Sequence, residues 1–212
     1  MLTAIQQSLE ANNKLKKRAL MTVSNKTVSS DAIQKEWLEV QAAQANPTRF
    51  RPLYDRYYEP IFRFIYRRTS DEMLSGDLCA QVFLKAMQKI GSYKFKGVPF
   101  SAWLYRIASN EVAQHFRNTQ KNRTISIDKT NVGEMVEDED IEGLLAHRDV
   151  LIETLNSMKD KEVELIEMRF FEHRSFREIA NYLEISESNA KVRTYRLLTK
   201  MKKLMLKKIK PK

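Results

Sequence analysis

The sequence predicts an all-α fold: two small helical domains joined by an acidic, flexible linker. Three observations carry this expectation. Apolar residues recur at three- and four-residue intervals in block after block. Only five Gly and five Pro stand among 212 residues, too few for the tight turns of an all-β chain, whereas Ala, Leu, Glu, Lys, Gln and Met, which favour helices, are plentiful. Between residues 118 and 148 the periodicity lapses around the acidic run "EDED" at 137–140.

Residues 1–30 are polar and weakly patterned, so a poorly ordered extension without assigned function is expected. "SSDAIQKEWLEVQAAQ" reads as a capped helix, with Ser or Asp at its start and Ile33, Trp37, Leu38 and Val40/Gln41 following. "FRPLYDRYYEPIFRFIYRR" places apolar or aromatic residues at 50, 53, 54, 57, 61, 62, 64 and 65. Pro60 should kink or split that helix, because its ring blocks the bond to the carbonyl four residues back. In "DLCAQVFLKAMQKI", Cys79, Val82, Phe83, Ala86, Met87 and Ile90 form one apolar face, and Asp77, Gln81, Lys85 and Gln88 lie opposite. "GSYKFKGVP" interrupts with two Gly and a Pro. "FSAWLYRIASNEVAQHFRN" resumes, with Trp103, Leu104, Ile107, Ala108, Val112 and Phe116 on a core face. Arg106, Asn110, Gln114 and Arg117 form a polar stripe on another face. Trp103 is expected in the core. The first domain is thus 31–117 and the linker 118–148, with a short helix after Asp140 allowed for.

The second domain, 149–212, reads as four helices: one around Leu151, Ile152, Leu155 and Met158, one around Val163, Ile166, Met168/Arg169 and Phe170, then "SFREIANYL" and "ESNAKVRTYRLLTKMKK". The last two, joined by a tight turn, are a helix-turn-helix pattern. Ala180 is the small residue at the close approach, Leu183 and Ile185 bracket the turn, and Ser186 can cap the final helix. Glu184 falls where a left-handed conformation would favour Gly, at a cost of about 1 kcal/mol.

Charge is concentrated in the same place. The chain carries a net +10, but ten Lys or Arg and no acid lie from Ser188 onward, so the remainder is neutral. A basic terminus can be a solvated arm. Here the bases are segregated instead. Ala190, Thr194, Leu197, Met201 and Leu204 recur as a buried stripe, and Arg193, Arg196, Lys200, Lys203 and Lys207 fall within an arc of about 80° beside it at roughly 100° per residue. Such a helix can lie on phosphates. Ser188, Asn189, Lys191 and Val192 would point at base edges in the major groove, and the later cations would supply sequence-independent attraction.

Other classes are disfavoured. A single cysteine excludes an internal disulfide and a multi-cysteine zinc site. Cys79 sits on an apolar face with no base to support a thiolate. Glu111 and His115 are four apart but lack a third metal ligand, and neither a P-loop nor a Gly-rich nucleotide turn is present. No catalytic residue, metal or cofactor is expected. The sequence holds no apolar run of 18 residues, and its N-terminal bases follow a broken apolar stretch rather than precede a continuous one. A cytoplasmic protein is expected.

Three blocks, in order, resemble bacterial RNA polymerase sigma factors of the extracytoplasmic-function class. "DLCAQVFLKAM" is similar to that family's region 2 helix, which docks on the polymerase clamp. "PFSAWLYRIASNEVAQHFRN" is similar to the segment that reads the minus-ten element. "MRFFEHRSFREIANYLEISESNAKVRTYRLLTKMKK" is similar to region 4, which reads the minus-thirty-five element. The resemblance covers about residues 35–117 and 148–205. It implies polymerase binding by Asp77, Gln81, Lys85 and Gln88. It implies minus-ten contacts by Arg106, Asn110, Gln114 and Arg117, and minus-thirty-five contacts by Ser188, Asn189, Lys191, Val192, Arg193, Arg196, Lys200 and Lys203. Core RNA polymerase and promoter DNA are the implied partners, and an anti-sigma factor, where one exists, would cover both DNA faces. The linker is either a solvated tether or, as in that class, a nucleic-acid mimic in the polymerase channels. Ala80 and Gln81 replace the family's common Gln-Glu, Gln114 replaces a common Asp, and Ser188-Asn189-Ala190 replaces Gly-Thr-Val. Promoter preference therefore cannot be copied from relatives. The competing reading is a stand-alone helix-turn-helix regulator of operator DNA, which would not need the 77–117 block.

Overall fold

The computed structural model describes residues 28–119 and 141–209. No strand occurs among the described residues. Residues 1–27 and 120–140, with the "EDED" run, lie outside them, and so do the expectations for the N-terminal extension and for most of the linker.

The first module has four helices. Helix α1 spans Ser30–Ala45, and its cap is the Ser29 hydroxyl, which accepts from the Ala32 N–H at 3.2 Å. A 3-10 turn, Pro47–Phe50, leads into α2, Arg51–Thr69. Helix α3, Glu72–Lys89, starts where the Asp71 carboxylate accepts from the Leu74 N–H at 3.0 Å. Helix α4 is Ser101–Thr119. Helices α2, α3 and α4 pack on one another around Leu53, Ile61, Phe64, Ile65, Cys79, Val82, Leu104, Tyr105 and Ala108, all fully buried. Burial above all, then the charge of Glu59, pushes the Cys79 thiol up to about 12, so it stays protonated and inert.

Several details differ from expectation. Helix α2 runs unbroken through Pro60. An interior proline costs about 3 kcal/mol, but each of Ile61, Phe64 and Ile65, all buried, contributes about 1.5–3 kcal/mol. Leu38 and Met87 point to solvent, whereas Glu36 is buried. As expected, Trp103 packs against the core, partly buried, its ring 5.0 Å from Tyr93 and 5.2 Å from Phe100, and Tyr105 is fully buried. Two tethers aim the start of α4. Glu36 accepts from the Phe100 N–H at 2.7 Å and from the Tyr57 hydroxyl. Gln44 donates to the carbonyls of Ile90 and Tyr93, both at 2.9 Å, and ties down the preceding loop.

The second module contains α5, Ile141–Asn156, which crosses the expected boundary at 148/149. Helix α6, Asp160–Ile166, continues as a π turn, Glu167–Phe171. Its extra residue shifts the helical phase, so Phe171 rather than Phe170 is buried, together with Glu167, Met168 and Arg169 in succession. Helix α7, Phe176–Leu183, opens with a reciprocal cap. Ser175 Oγ accepts from the Glu178 N–H at 3.2 Å, and the Glu178 carboxylate accepts from the Ser175 N–H at 2.9 Å. Helix α8, Glu187–Ile209, buries Ala190, Thr194, Leu197 and Met201. Ser186 caps it, accepting from the Asn189 N–H at 3.2 Å. Glu184 adopts φ 56°, ψ 44°, the left-handed turn its position implied.

Candidate nucleic-acid interface

The α4 stripe faces outward because the opposite side of the helix, Leu104, Tyr105, Ala108 and Val112, fills the core. Asn110, Gln114 and Arg117 are exposed. Arg106 is not free: its guanidinium is paired with the carboxylate of Glu184, from the other module.

On α8, Ser188, Asn189, Lys191, Val192, Arg193, Arg196, Lys200 and Lys203 are all exposed. Arg193 Nε donates to Asn189 Oδ1 at 3.0 Å, so these two side chains position each other. Lys200 Nζ reaches both Glu162 oxygens, at 2.7 and 2.8 Å. Burial alone would raise the Glu162 carboxyl, but the Lys200 ammonium and the Lys159 N–H outweigh it and hold it below its ordinary value.

On α3, Asp77, Gln81 and Gln88 are exposed. Lys85 differs: its ammonium donates to the buried Glu111 carboxylate at 2.6 Å and ties α3 to α4. The helical pattern of one segment could not reveal this tether.

The two modules meet along α4 and α7, their buried apolar residues belong to one cluster, and polar pairs cross the contact beside it. Arg68, buried over the Phe64 ring at 3.6 Å, pairs with the buried Glu167, and Arg67 pairs with Glu172. Arg174 donates to Ser101 Oγ and to the Tyr105 hydroxyl, both at 3.1 Å. The Ser109 hydroxyl donates to Glu164, and the Tyr105 hydroxyl to Glu172. Burial draws the Arg67 pKa down, against the charge of Glu167. Sequence reasoning missed this cluster. One signal was present: Arg68 extends the buried series Tyr57, Ile61, Phe64 at helical spacing.

Between the modules lies a cleft of about 940 Å³. Its walls carry Arg106 and Asn110 from one module and Arg193, Arg196 and Lys200 from the other, with Glu162, Glu164 and Glu184 interspersed. Members of both predicted DNA-contacting sets thus face each other. Among the described residues, no group of three or more His, Cys, Asp or Glu could hold a metal ion, and no helix is long and apolar enough to cross a membrane.

Two all-helical modules, one with a polar stripe on a core-backed helix and one with a cation-ridged helix-turn-helix, define a DNA-binding class of protein. Residues 53–122 match the sigma-70 region 2 family model, and residues 148–201 match that of sigma-70 region 4. The chain belongs to the sigma-70 family of RNA polymerase sigma factors, in its extracytoplasmic-function class. It is 30% identical over 159 residues to the RNA polymerase sigma factor YlaC of Bacillus subtilis, covering 73% of this chain and 91% of that one. It is 29% identical over 171 residues to the ECF RNA polymerase sigma factor BldN of Streptomyces coelicolor, covering 78% of this chain and 64% of the relative's length. Two solved structures share the fold. CnrH, in complex with the cytosolic domain of CnrY, has a TM-score of 0.54 at 21% identity, covering 80% of this chain and 96% of that one. The sigma factor RpoE of Bartonella quintana, in complex with the anti-sigma factor NepR, has 0.52 at 18% identity, covering 76% and 98%.

Proposed function

We propose that this chain binds core RNA polymerase and directs it to promoters, reading the minus-ten element with α4 and the minus-thirty-five element with α8. The observation that carries the reading is the pairing of two dissimilar polar surfaces on two modules. A stand-alone operator-binding regulator would use α8 and leave the stripe on α4 without a task.

In this reading the exposed Asp77, Gln81 and Gln88 face the polymerase, and Lys85 holds α3 and α4 in register. Arg106, Asn110, Gln114 and Arg117 hold the non-template strand. Melting costs about 1.4 kcal/mol per base-pair step. Without ATP, the complex must offset that by binding the opened strand better than the duplex, with unstacked bases captured in pockets. An anti-sigma factor is a further proposed partner, as in the solved complex of RpoE with NepR. The cytoplasm is where polymerase and promoter are found. Run-off transcription with core enzyme on genomic fragments tests the reading. Transcripts that start only when this chain is added support it, and operator binding without any transcript would favour the regulator.

Two predictions separate the roles of named residues. Lys85→Glu is expected to destabilise the fold by about 3 kcal/mol, because it leaves the buried Glu111 beside a like charge. Asp77→Lys should leave stability unchanged and weaken core binding by about tenfold. Urea denaturation and pull-down with core enzyme, done in parallel, check both. On α8, Lys203→Ala should reduce the slope of log affinity against log salt by about 1 for every DNA sequence alike. Lys200→Ala should reduce it by less, since its pair with Glu162 must first be broken. Asn189→Ala and Arg193→Ala should instead change promoter preference by about 1–3 kcal/mol per base. Because the two are bonded, their effects should not add. Titrations over several salt concentrations and promoter variants would refute this division if all four variants behaved alike.

A further inference from the structure

We propose that the last two turns of α8 form a docking patch for an anionic membrane surface, in which Leu206 and Ile209 enter the lipid interface and the lysines around them meet the headgroups. The patch goes beyond the promoter reading and does not depend on it.

The sequence supplies the charge. Seven lysines and no acid stand between residues 200 and 212. The match to the region 4 family model ends at residue 201, yet α8 continues for two further turns, to Ile209. In those turns the proposed minus-thirty-five set includes only Lys203.

The structure supplies the apolar part. Leu206 is 46% exposed and Ile209 38%. A single exposed apolar residue is ordinary. These two stand one turn apart, with cations beside them. The helical neighbours of Leu206 at i−4, i−3 and i+3 are Lys202, Lys203 and Ile209. Lys202, Lys203 and Lys207 are exposed and have no carboxylate partner among the described residues. Lys208 differs, because it pairs with Glu153 of α5 on the side that faces the module.

Orientation leaves the patch open. At roughly 100° per residue, Lys202, Leu206 and Ile209 lie about 130° around the helix from the ridge of Arg193, Arg196, Lys200, Lys203 and Lys207. Helix α5 packs against another side. A duplex on the ridge therefore leaves Leu206 and Ile209 uncovered, with Lys203 on the border of the two faces.

Chemistry selects the occupant. A phosphate backbone rewards cations and gives an exposed leucine nothing. A bilayer interface rewards both. Apolar side chains leave water at the acyl boundary, while lysines lay their aliphatic stems along it and keep their ammonium groups among the headgroups. The patch lies on a membrane rather than spans it, since no described helix is long and apolar enough to cross one. Each lysine near an anionic surface is worth about fivefold in affinity. Two apolar residues are a weak anchor by themselves, so the attachment is reversible and requires anionic lipid.

The test uses the full chain and vesicles that can be sedimented. One set is phosphatidylcholine alone, and the other contains about one third phosphatidylglycerol. The chain should partition at least about tenfold more strongly onto the anionic set at roughly 0.1 M salt. L206Q/I209Q alters only exposed side chains, so the fold is retained, which circular dichroism checks. It should lower partition by about tenfold, and K202A by about fivefold. L206Q/I209Q should leave affinity for duplex DNA unchanged. Equal partition onto both vesicle sets would overturn the patch. Partition that survives L206Q/I209Q in full would show that charge alone draws the chain to lipid, and would overturn it as well. A parallel loss of duplex affinity in L206Q/I209Q would assign this face to DNA and refute the membrane as its occupant.

Discussion

Glu167→Ala is expected to destabilise the folded chain by about 3–5 kcal/mol, among the largest effects of any single substitution here. Glu167 is fully buried, and its partner Arg68 retains only 2% side-chain exposure. Removing the carboxylate leaves a guanidinium out of water with nothing to neutralise it. The face of the Phe64 ring, 3.6 Å away, offsets only a part. The loss is bounded, because the modules can part and let Arg68 hydrate. The variant should therefore be both less stable and more open. Replacing both partners by methionine should be nearly neutral, since the desolvation cost disappears with the charges. Urea denaturation followed by circular dichroism measures each variant. A loss under about 1 kcal/mol for Glu167→Ala would mean that the pair behaves as a hydrated surface pair.

Glu36→Ala should cost about 3 kcal/mol, with a consequence at a distance. The carboxylate accepts from the Phe100 N–H, the Tyr57 hydroxyl and Arg56. Each buried donor left without an acceptor costs about 1–3 kcal/mol. Burial first, then the charge of Glu36, keeps the Tyr57 phenol protonated far above neutral pH, so its proton has no other outlet. Phe100 immediately precedes α4, the helix that carries Arg106, Asn110, Gln114 and Arg117. On the proposed reading of α4, the variant should lose affinity for single-stranded minus-ten DNA even though none of those four residues has changed. Glu36→Gln, which keeps one acceptor oxygen, should recover part of both losses. Thermal unfolding and strand-binding titrations, compared between the two variants, check this. Equal strand affinity in Glu36→Ala and the unaltered chain would show that α4 needs no such anchor.

Much of the architecture was legible because helices announce themselves locally. The three- and four-residue apolar intervals located α1 to α4 and the helices of the second module, and the position of Glu184 between Leu183 and Ile185 foretold its left-handed backbone. The buried stripe of α8 and the cationic ridge beside it followed from residue spacing alone. Where local reading failed, a distant residue had decided the outcome. Pro60 was expected to kink or split α2; the split does not occur, because buried side chains beyond it hold the helix continuous. Phe170 and Phe171 exchanged roles because one π turn altered the phase, and such a turn leaves no mark in apolar spacing. Lys85 was read as part of a docking face, and its bond to Glu111, on another helix, could not be read from one segment.

By itself the sequence determined the helical class, the order of the elements, the family and the surfaces on which the cations stand. These depend on periodicity and charge, which neighbouring residues encode. Only the tertiary structure decided how the charges pair. Arg68 with Glu167, Arg106 with Glu184 and Glu36 with the backbone of residue 100 join groups 99, 78 and 64 residues apart. An ion pair depends on separation in space and on exclusion of water, and neither quantity exists until the chain has folded.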